Sequence, residues 1–263
     1  MLSHVDLCSG IGGFALGFQW AGLSKPVLFC DIEPWSRKVL KKHWPDVPIA
    51  TDVKELANDP DGLIPRTDPK RTILTAGYPC QPFSHAGKRL GQTDDRHIWP
   101  YILQIVAHKR PAFCVFENVY GHVSLGLDQV LSDLEGQGYA TRPFIVPACG
   151  VDAPHRRDRL WIIAHTSVRK LQRRGEEQVY GQPDISRKLG RSGEGEPPQR
   201  STLSGLGGMA DGIPRWLDEP RDTPRTVKGV KGRADRLKRL GNAIVPQIAM
   251  KIGEAIKQFE AEI

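Results

Sequence analysis

No run of apolar residues in this 263-residue chain approaches the length of a membrane span. The N-terminus, Met1-Leu-Ser-His-Val-Asp6, also lacks a basic region followed by an apolar stretch. Neither a spanning helix nor a secretory leader is expected, and the sequence reads as cytoplasmic. Cysteine is sparse and irregular. Cys8, Cys30, Cys80, Cys114 and Cys149 form an odd set with no C-x-x-C pair. That excludes a paired disulfide framework and a zinc-finger type of site, so no metal is expected. No internal repeat is visible, which excludes solenoids and propellers.

What is present is an ordinary globular composition, 39% hydrophobic and 25% charged, in a chain long enough for one large domain, with or without a small lobe. Its charge is not evenly spread. Between Thr166 and Leu240, 17 Lys and Arg face 10 Asp and Glu, an excess of seven that equals the net +7 of the whole chain. Positive charge concentrated in one segment, Arg173 and Arg174 included, is the footprint of a polyanion partner, because neutralised phosphates release counterions. A solvated loop is the plainer reading of the same residues. From Ser167 to Pro198, Gly, Arg, Glu, Gln and Pro dominate, as in a long loop or insert.

The remainder alternates between strand and helix patterns. Strands are expected at Ser3–Cys8, Pro26–Asp31, Arg71–Ala76, Ala112–Glu117, Ala140–Pro147 and Leu160–His165. Helices are expected at Phe14–Ala21, from Pro34 to about Trp44, and near Ile98–His108 and Leu127–Gly136. A last helix lies within Asn242–Phe259, where Val245, Ile248, Ile252 and Ile256 recur at helical spacing. Such alternation predicts an α/β fold with a doubly wound, mostly parallel sheet, onto which the last helix packs.

Chemistry collects at the expected strand ends. Cys80 follows the third of these strands in Gly77-Tyr-Pro-Cys-Gln-Pro-Phe-Ser84, a loop kept from continuing as helix by Pro79 and Pro82. There a thiol faces a cleft at the carboxyl edge, although a free cysteine is often only a small buried hydrophobe. Gly10-Ile-Gly12-Gly13-Phe14-Ala15, with Asp31 about twenty residues on, fits an adenosine site, with the acid accepting from ribose hydroxyls. A nicotinamide dehydrogenase satisfies the same pattern, and Asp31 alone could be a helix cap. Asp52 is a candidate for the adenine amine or an N-cap for the residues after it. Glu117 stands at a strand end as a group that protonates or holds a substrate, as a cap, or as half of an ion pair. Arg157 and Arg159 precede the strand that opens at Leu160, and period-two alternation points both to the same side. They suit an anion, a carbonyl oxygen gaining charge, or a salt-bridge ladder.

Five blocks in order carry a resemblance that none carries alone: Asp6-Leu-Cys-Ser-Gly-Ile-Gly-Gly-Phe14, Gly77 to Ser84, Glu117-Asn-Val119, Arg157-Asp-Arg159 and Gly241-Asn-Ala-Ile-Val-Pro246. Together they resemble the DNA (cytosine-5)-methyltransferases of phage and bacterial type. The resemblance covers residues 1 to about 165 and 236 to 263. It implies a catalytic and cofactor-binding domain at 1–165, a reduced target-recognition insert at 166–235, and a C-terminal helix at 236–263 completing the catalytic domain.

That resemblance also implies S-adenosylmethionine as cofactor, double-stranded DNA as partner, a monomer, and a bacterial or phage-infected cytoplasm in which a cognate restriction endonuclease is a candidate partner. Cys80 would attack carbon 6 of a flipped cytosine. Glu117 would bind the ring nitrogen, and Arg159 with Arg157 would hold the carbonyl oxygen. The cofactor would meet Cys8, Gly10, Gly12, Gly13, Phe14, Asp31, Ile32, Asp52, Pro79, Asn242 and Ala243. DNA would meet Gln81, Ser84, Lys88 and Arg96, besides Arg173 and Arg174. The chain departs from the family where Cys8 and Ile32 replace common aromatics, and it lacks the usual Thr-x-Arg-Glu-x-x-Arg-Leu-Gln block. Rival readings are an RNA methyltransferase on the same scaffold and a DNA-binding protein that has lost catalysis.

Overall fold

The computed structural model describes residues 1–79, 98–153, 156–166 and 243–261. Strands β1 (Leu2–Leu7), β2 (Ser24–Cys30), β3 (Ile49–Ala50), β4 (Thr72–Gly77), β5 (Phe113–Val119), β6 (Ala140–Pro147) and β7 (Asp158–His165) form one sheet in the order β3-β2-β1-β4-β5-β7-β6. β1 to β5 pair in parallel, whereas β7 runs antiparallel to both β5 and β6. The mostly parallel sheet is thus as expected, with one reversed strand that apolar alternation could not announce. Reversal has a consequence: β7 begins at the edge where β1 to β5 end.

Period-two burial divides the core. Val5, Leu7, Leu74, Ala76 and Phe116 face a layer built from α3 (Val53–Asn58), α5 (Trp99–Lys109) and α7 (Leu127–Gly136). Ile73, Val115 and Trp161 face α1 (Gly13–Trp20) and α8 (Pro246–Ala261). Shorter helices, α2 (Pro34–His43), α4 (Pro60–Leu63) and α6 (His122–Leu125), fill the connections.

The C-terminal helix packs where its apolar spacing predicts, and two glycines let it come close. A Cβ on Gly17 would lie 2.3 Å from the Pro246 carbonyl oxygen, and one on Gly13 2.6 Å from that of Ile244. Gly253 of α8 reciprocates, since its Cβ would stand 2.9 Å from Ala21. Gly17→Ala is therefore expected to destabilise the fold by about 1–3 kcal/mol, because overpacking outweighs the gain of about 1 kcal/mol in helix propensity. Denaturant unfolding tests this, and an unchanged midpoint would refute so close a crossing.

A polar chain crosses this α1 face of the sheet. His4 Nε2 and Thr75 Oγ1 are 2.8 Å apart, Thr75 Oγ1 donates to Asp6 Oδ1 at 2.6 Å, and all three residues are buried. Burial pushes the Asp6 carboxyl up to about 8, with a smaller contribution from the Asp31 charge, while burial pushes His4 down to about 3. The folded Asp6 keeps its proton while an unfolded one loses it near 3.8. Its stabilisation is present below that value and is lost as pH rises toward 8. His4 acts oppositely, costing stability as pH falls from 6.5 toward 3. We expect Asp6→Asn, which keeps the acceptor for Thr75, to gain stability over the wild type progressively between pH 4 and pH 8. The gain should reach the order of a few kcal/mol. Thermal unfolding across that range measures it; a difference that does not change with pH would exclude Asp6 as the titrating group.

Candidate active site

The site lies on the carboxyl edge of the parallel strands. In the register Gly77 pairs with Glu117, Glu117 with Trp161, and Val119 with Arg159. Because β7 is reversed, its first residues arrive beside the last residues of β5, and Arg159 reaches Glu117 with Nε 2.9 Å from Oε1. Glu117 was expected at a strand end. It instead lies inside β5, which runs two residues further, to Val119. That placement buries it, and burial pushes its carboxyl up to about 7 against the opposing pull of the Arg159 and Arg157 charges. Such a group holds or yields a proton near neutral pH. A Cβ on Gly77 would stand 3.2 Å from Ile244 Cδ1 and 3.7 Å from Glu117 Oε2. The glycine thus brings β4, the C-terminal segment and the carboxylate together.

Arg157 is placed differently from its neighbour. It precedes β7 and has a positive φ of 37°, so the strand alternation that would align it with Arg159 does not extend to it. Its Nη2 donates to the Ala243 carbonyl at 2.7 Å. Burial and the Arg159 charge lower its pKa, while Glu117 raises it. Arg157 therefore ties the β7 edge to the C-terminal segment, and Ala243 is its partner there.

On the adjoining edge of β1 and β2, Asp31 is an organiser. Its Oδ2 accepts from Gly10 N at 2.7 Å and its Oδ1 from Glu33 N at 2.9 Å, locking the glycine turn to the end of β2. Burial raises its pKa, and these bonds oppose the rise. Gly10 has φ 56°, and a Cβ there would meet nothing within 4 Å, so its backbone is open to a ligand. Ile32 beside it is 70% exposed, and the first turn of α1 has no side-chain cap. Open backbone, uncapped helix N–H groups, an acid with further acceptor capacity and an exposed apolar platform together fit an adenosine-bearing ligand.

Other expected cofactor contacts have structural work as well. At Gly12 a Cβ would meet Trp44 at 2.6 Å, and at Gly13 it would meet Ile244, so both glycines serve packing. The Phe14 side chain is core, edge-on to Trp161 with ring centroids 5.6 Å apart, which leaves its backbone to face a ligand. Asp52 caps α3, accepting from Lys54 N at 2.9 Å. Cys8 is half-buried with φ 52°, and burial pushes its thiol well up. Pro79 is exposed. Cys80, Gln81, Ser84, Lys88, Arg96, Arg173, Arg174 and Asn242 lie outside the described residues.

Two contributors stand in the family-like blocks but not among the expected site residues. Asn118, buried beside Glu117, donates from Nδ2 to the Tyr78 carbonyl at 3.2 Å. Ile244 packs on both Gly13 and Gly77. Only the glycines opposite it, and the block that contains it, hint at a contact between segments more than 160 residues apart.

The sequence profile of the C-5 cytosine-specific DNA methylases matches residues 2–202. The chain is 30% identical over 187 residues to the Type II methyltransferase M.HgiCII of Herpetosiphon aurantiacus, covering 69% of this chain and 39% of that protein. It is 32% identical over 168 residues to M.NgoBI of Neisseria gonorrhoeae, covering 62% and 50%. The chain thus matches half or less of the length of these curated relatives. Among solved structures, the Dnmt2 methyltransferase of S. pombe shares the fold, with a TM-score of 0.54 at 22% identity over 70% of this chain and 57% of that one.

Proposed function

The chain belongs to the C-5 cytosine-specific DNA methylases, and from that premise we propose that it methylates carbon 5 of cytosine in double-stranded DNA. The observation that carries the reading is the largely buried Glu117–Arg159 pair, in which Glu117 is the register partner of Gly77, the residue that leads through Tyr78 and Pro79 to Cys80. A nucleophile, a proton donor poised near neutral pH and a guanidinium on one sheet edge suit addition to a pyrimidine ring. A dehydrogenase has no use for them.

Cys80 would add to carbon 6 as a thiolate, the base having been turned out of the duplex. Glu117 would protonate the ring nitrogen as the thiolate adds, so that the electron pair displaced from the double bond is not left as a bare carbanion. Arg159, its Nε on Glu117 and its Nη1 on the Asp158 carbonyl, would offer Nη2 to the carbonyl oxygen, and Arg157 would hold the C-terminal segment beside them. Loss of the carbon 5 proton after methylation then expels Cys80. S-adenosylmethionine, when bound, supplies the electrophilic methyl. Its adenosine would be held by the Gly10 turn, the Phe14 backbone, Asp31 and Ile32, with Asp52 and the Asn242–Ala243 segment completing the site.

The division into a catalytic domain at 1–165 and 236–263 with a recognition insert at 166–235 is part of the same proposal. It is supported by the seat of α8 on α1 and by the basic excess of the insert. A monomer in a bacterial or phage-infected cytoplasm, beside a cognate restriction endonuclease, is the setting this implies. The test is to incubate unmethylated duplex DNA with methyl-labelled S-adenosylmethionine and map modified cytosines by bisulfite sequencing, with RNA as a parallel substrate. Label at cytosine carbon 5 in DNA is expected. No transfer to either polymer would overturn the reading, and transfer to RNA alone would overturn its choice of substrate.

A further inference from the structure

Two residues ahead of Cys80 the chain is gripped twice. The Tyr78 carbonyl accepts from Asn118, and the Tyr78 hydroxyl bonds His122 Nε2 at 3.0 Å. The Tyr78 ring is buried, with centroids 5.6 Å from His122, 5.4 Å from Trp99 and 6.3 Å from Phe116. His122 is wholly buried at the start of α6, three residues past the end of the strand that carries Glu117. Its ring is confined from the far side by Gly126, where a Cβ would stand 2.9 Å from Cε1.

Packing alone does not account for a histidine here. Its Nδ1 is buried without a hydrogen-bond partner among the described residues, a cost that a phenylalanine in the same aromatic cluster would avoid. Burial also lowers its pKa, which keeps the ring neutral. What the imidazole adds is the bond to Tyr78. That bond joins the exit of β4 to the helix after β5, and so joins the chain leading to Cys80 to the chain carrying Glu117.

We propose that the Tyr78–His122 hydrogen bond, with Asn118 on the Tyr78 carbonyl, is a positioning device that fixes the exit of β4 relative to Glu117. It rests on the reading of Cys80 as nucleophile. Pro79 alone separates the gripped residue from the thiol, so rotation at Tyr78 would be carried directly into the attack geometry. A misplacement of about 1 Å can cost on the order of 10²-fold in rate.

The test is the rate at which the full chain, supplied with S-adenosylmethionine, forms a covalent adduct with duplex DNA containing 5-fluorocytosine, where after methyl transfer the fluorine at carbon 5 leaves no proton for the elimination that would release the enzyme. Tyr78→Phe keeps the ring and removes only the hydroxyl. We expect the adduct rate at saturating DNA to fall by about 10- to 100-fold, with DNA and S-adenosylmethionine affinities unchanged. His122→Phe should fall equally, and the double variant no further, since both single changes break one bond. The double variant should unfold no more readily than the wild type, because both polar partners are then gone. An unchanged rate in Tyr78→Phe, or losses that multiply in the double variant, would overturn the positioning role while leaving Cys80 as nucleophile. Absence of adduct with the wild type would overturn the reading of Cys80 itself, and this inference with it.

Discussion

Cys80→Ala is expected to abolish methyl transfer, a loss of about 10⁴-fold or more, while DNA and cofactor binding persist. The expectation follows from position and from the lack of a substitute. Cys30 is buried in β2, and burial pushes its thiol up to about 12. Cys114 is buried in β5, with a pKa pushed up by burial as well. Cys8 stands by the glycine turn, its thiol raised by burial and by the carboxylates around it. None of these three yields a thiolate at neutral pH. Cys149 is exposed in the 3₁₀ turn after β6, the edge strand, which β7 separates from β5 and from the end of β4. Cys80 alone follows the strand whose last residue pairs with Glu117. Single-turnover transfer of labelled methyl, together with adduct formation on fluorinated DNA, measures the loss. Transfer by Cys80→Ala within tenfold of the wild type would sink the assignment.

The elements were legible because each obeys one period. Runs such as Thr72-Ile-Leu-Thr-Ala-Gly77 read as strand, and Val245, Ile248, Ile252 and Ile256 read as one helix face, whatever lies across from them. Direction was not legible, since an apolar run has the same pattern in either sense, and the reversal of β7 is set by pairing with β5 and β6. Arg157 and Arg159 show the cost. Their spacing places both on one side only if both are in the strand, and the positive φ of Arg157 takes it out and onto Ala243. Asp52 shows the converse case. Its two readings, N-cap and ligand contact, both rest on the same residue type, and the structure fills the cap. Glycine carries a third kind of ambiguity, because Gly10 leaves space open while Gly12 and Gly13 give theirs to Trp44 and Ile244. The sequence marks each as a place where a side chain is excluded, but not what excludes it.

Glu117→Gln is expected to lower the methyl-transfer rate by about 10²–10⁴-fold and to remove a limb of its pH profile. In the proposed mechanism the acid acts when protonated, and burial raises its pKa to about 7. The rate should therefore fall as pH rises through about 7, while thiolate formation at Cys80 makes it rise from the acid side, and the product is a bell. Glutamine can still accept from Arg159 and donate to a ring nitrogen, yet it has no proton to transfer, so the alkaline limb should vanish along with most of the rate. Unfolding cannot produce the same result. A carboxyl whose pKa rises on folding contributes stability below its usual 4.5 that is lost as pH climbs to 7, so the amide should be at least as stable as the acid at neutral pH. Rates from pH 6 to pH 9, measured beside thermal unfolding, separate the two. A variant slowed equally at every pH, with the alkaline limb intact, would assign that limb to another group and return Glu117 to the role of Arg159's ion-pair partner.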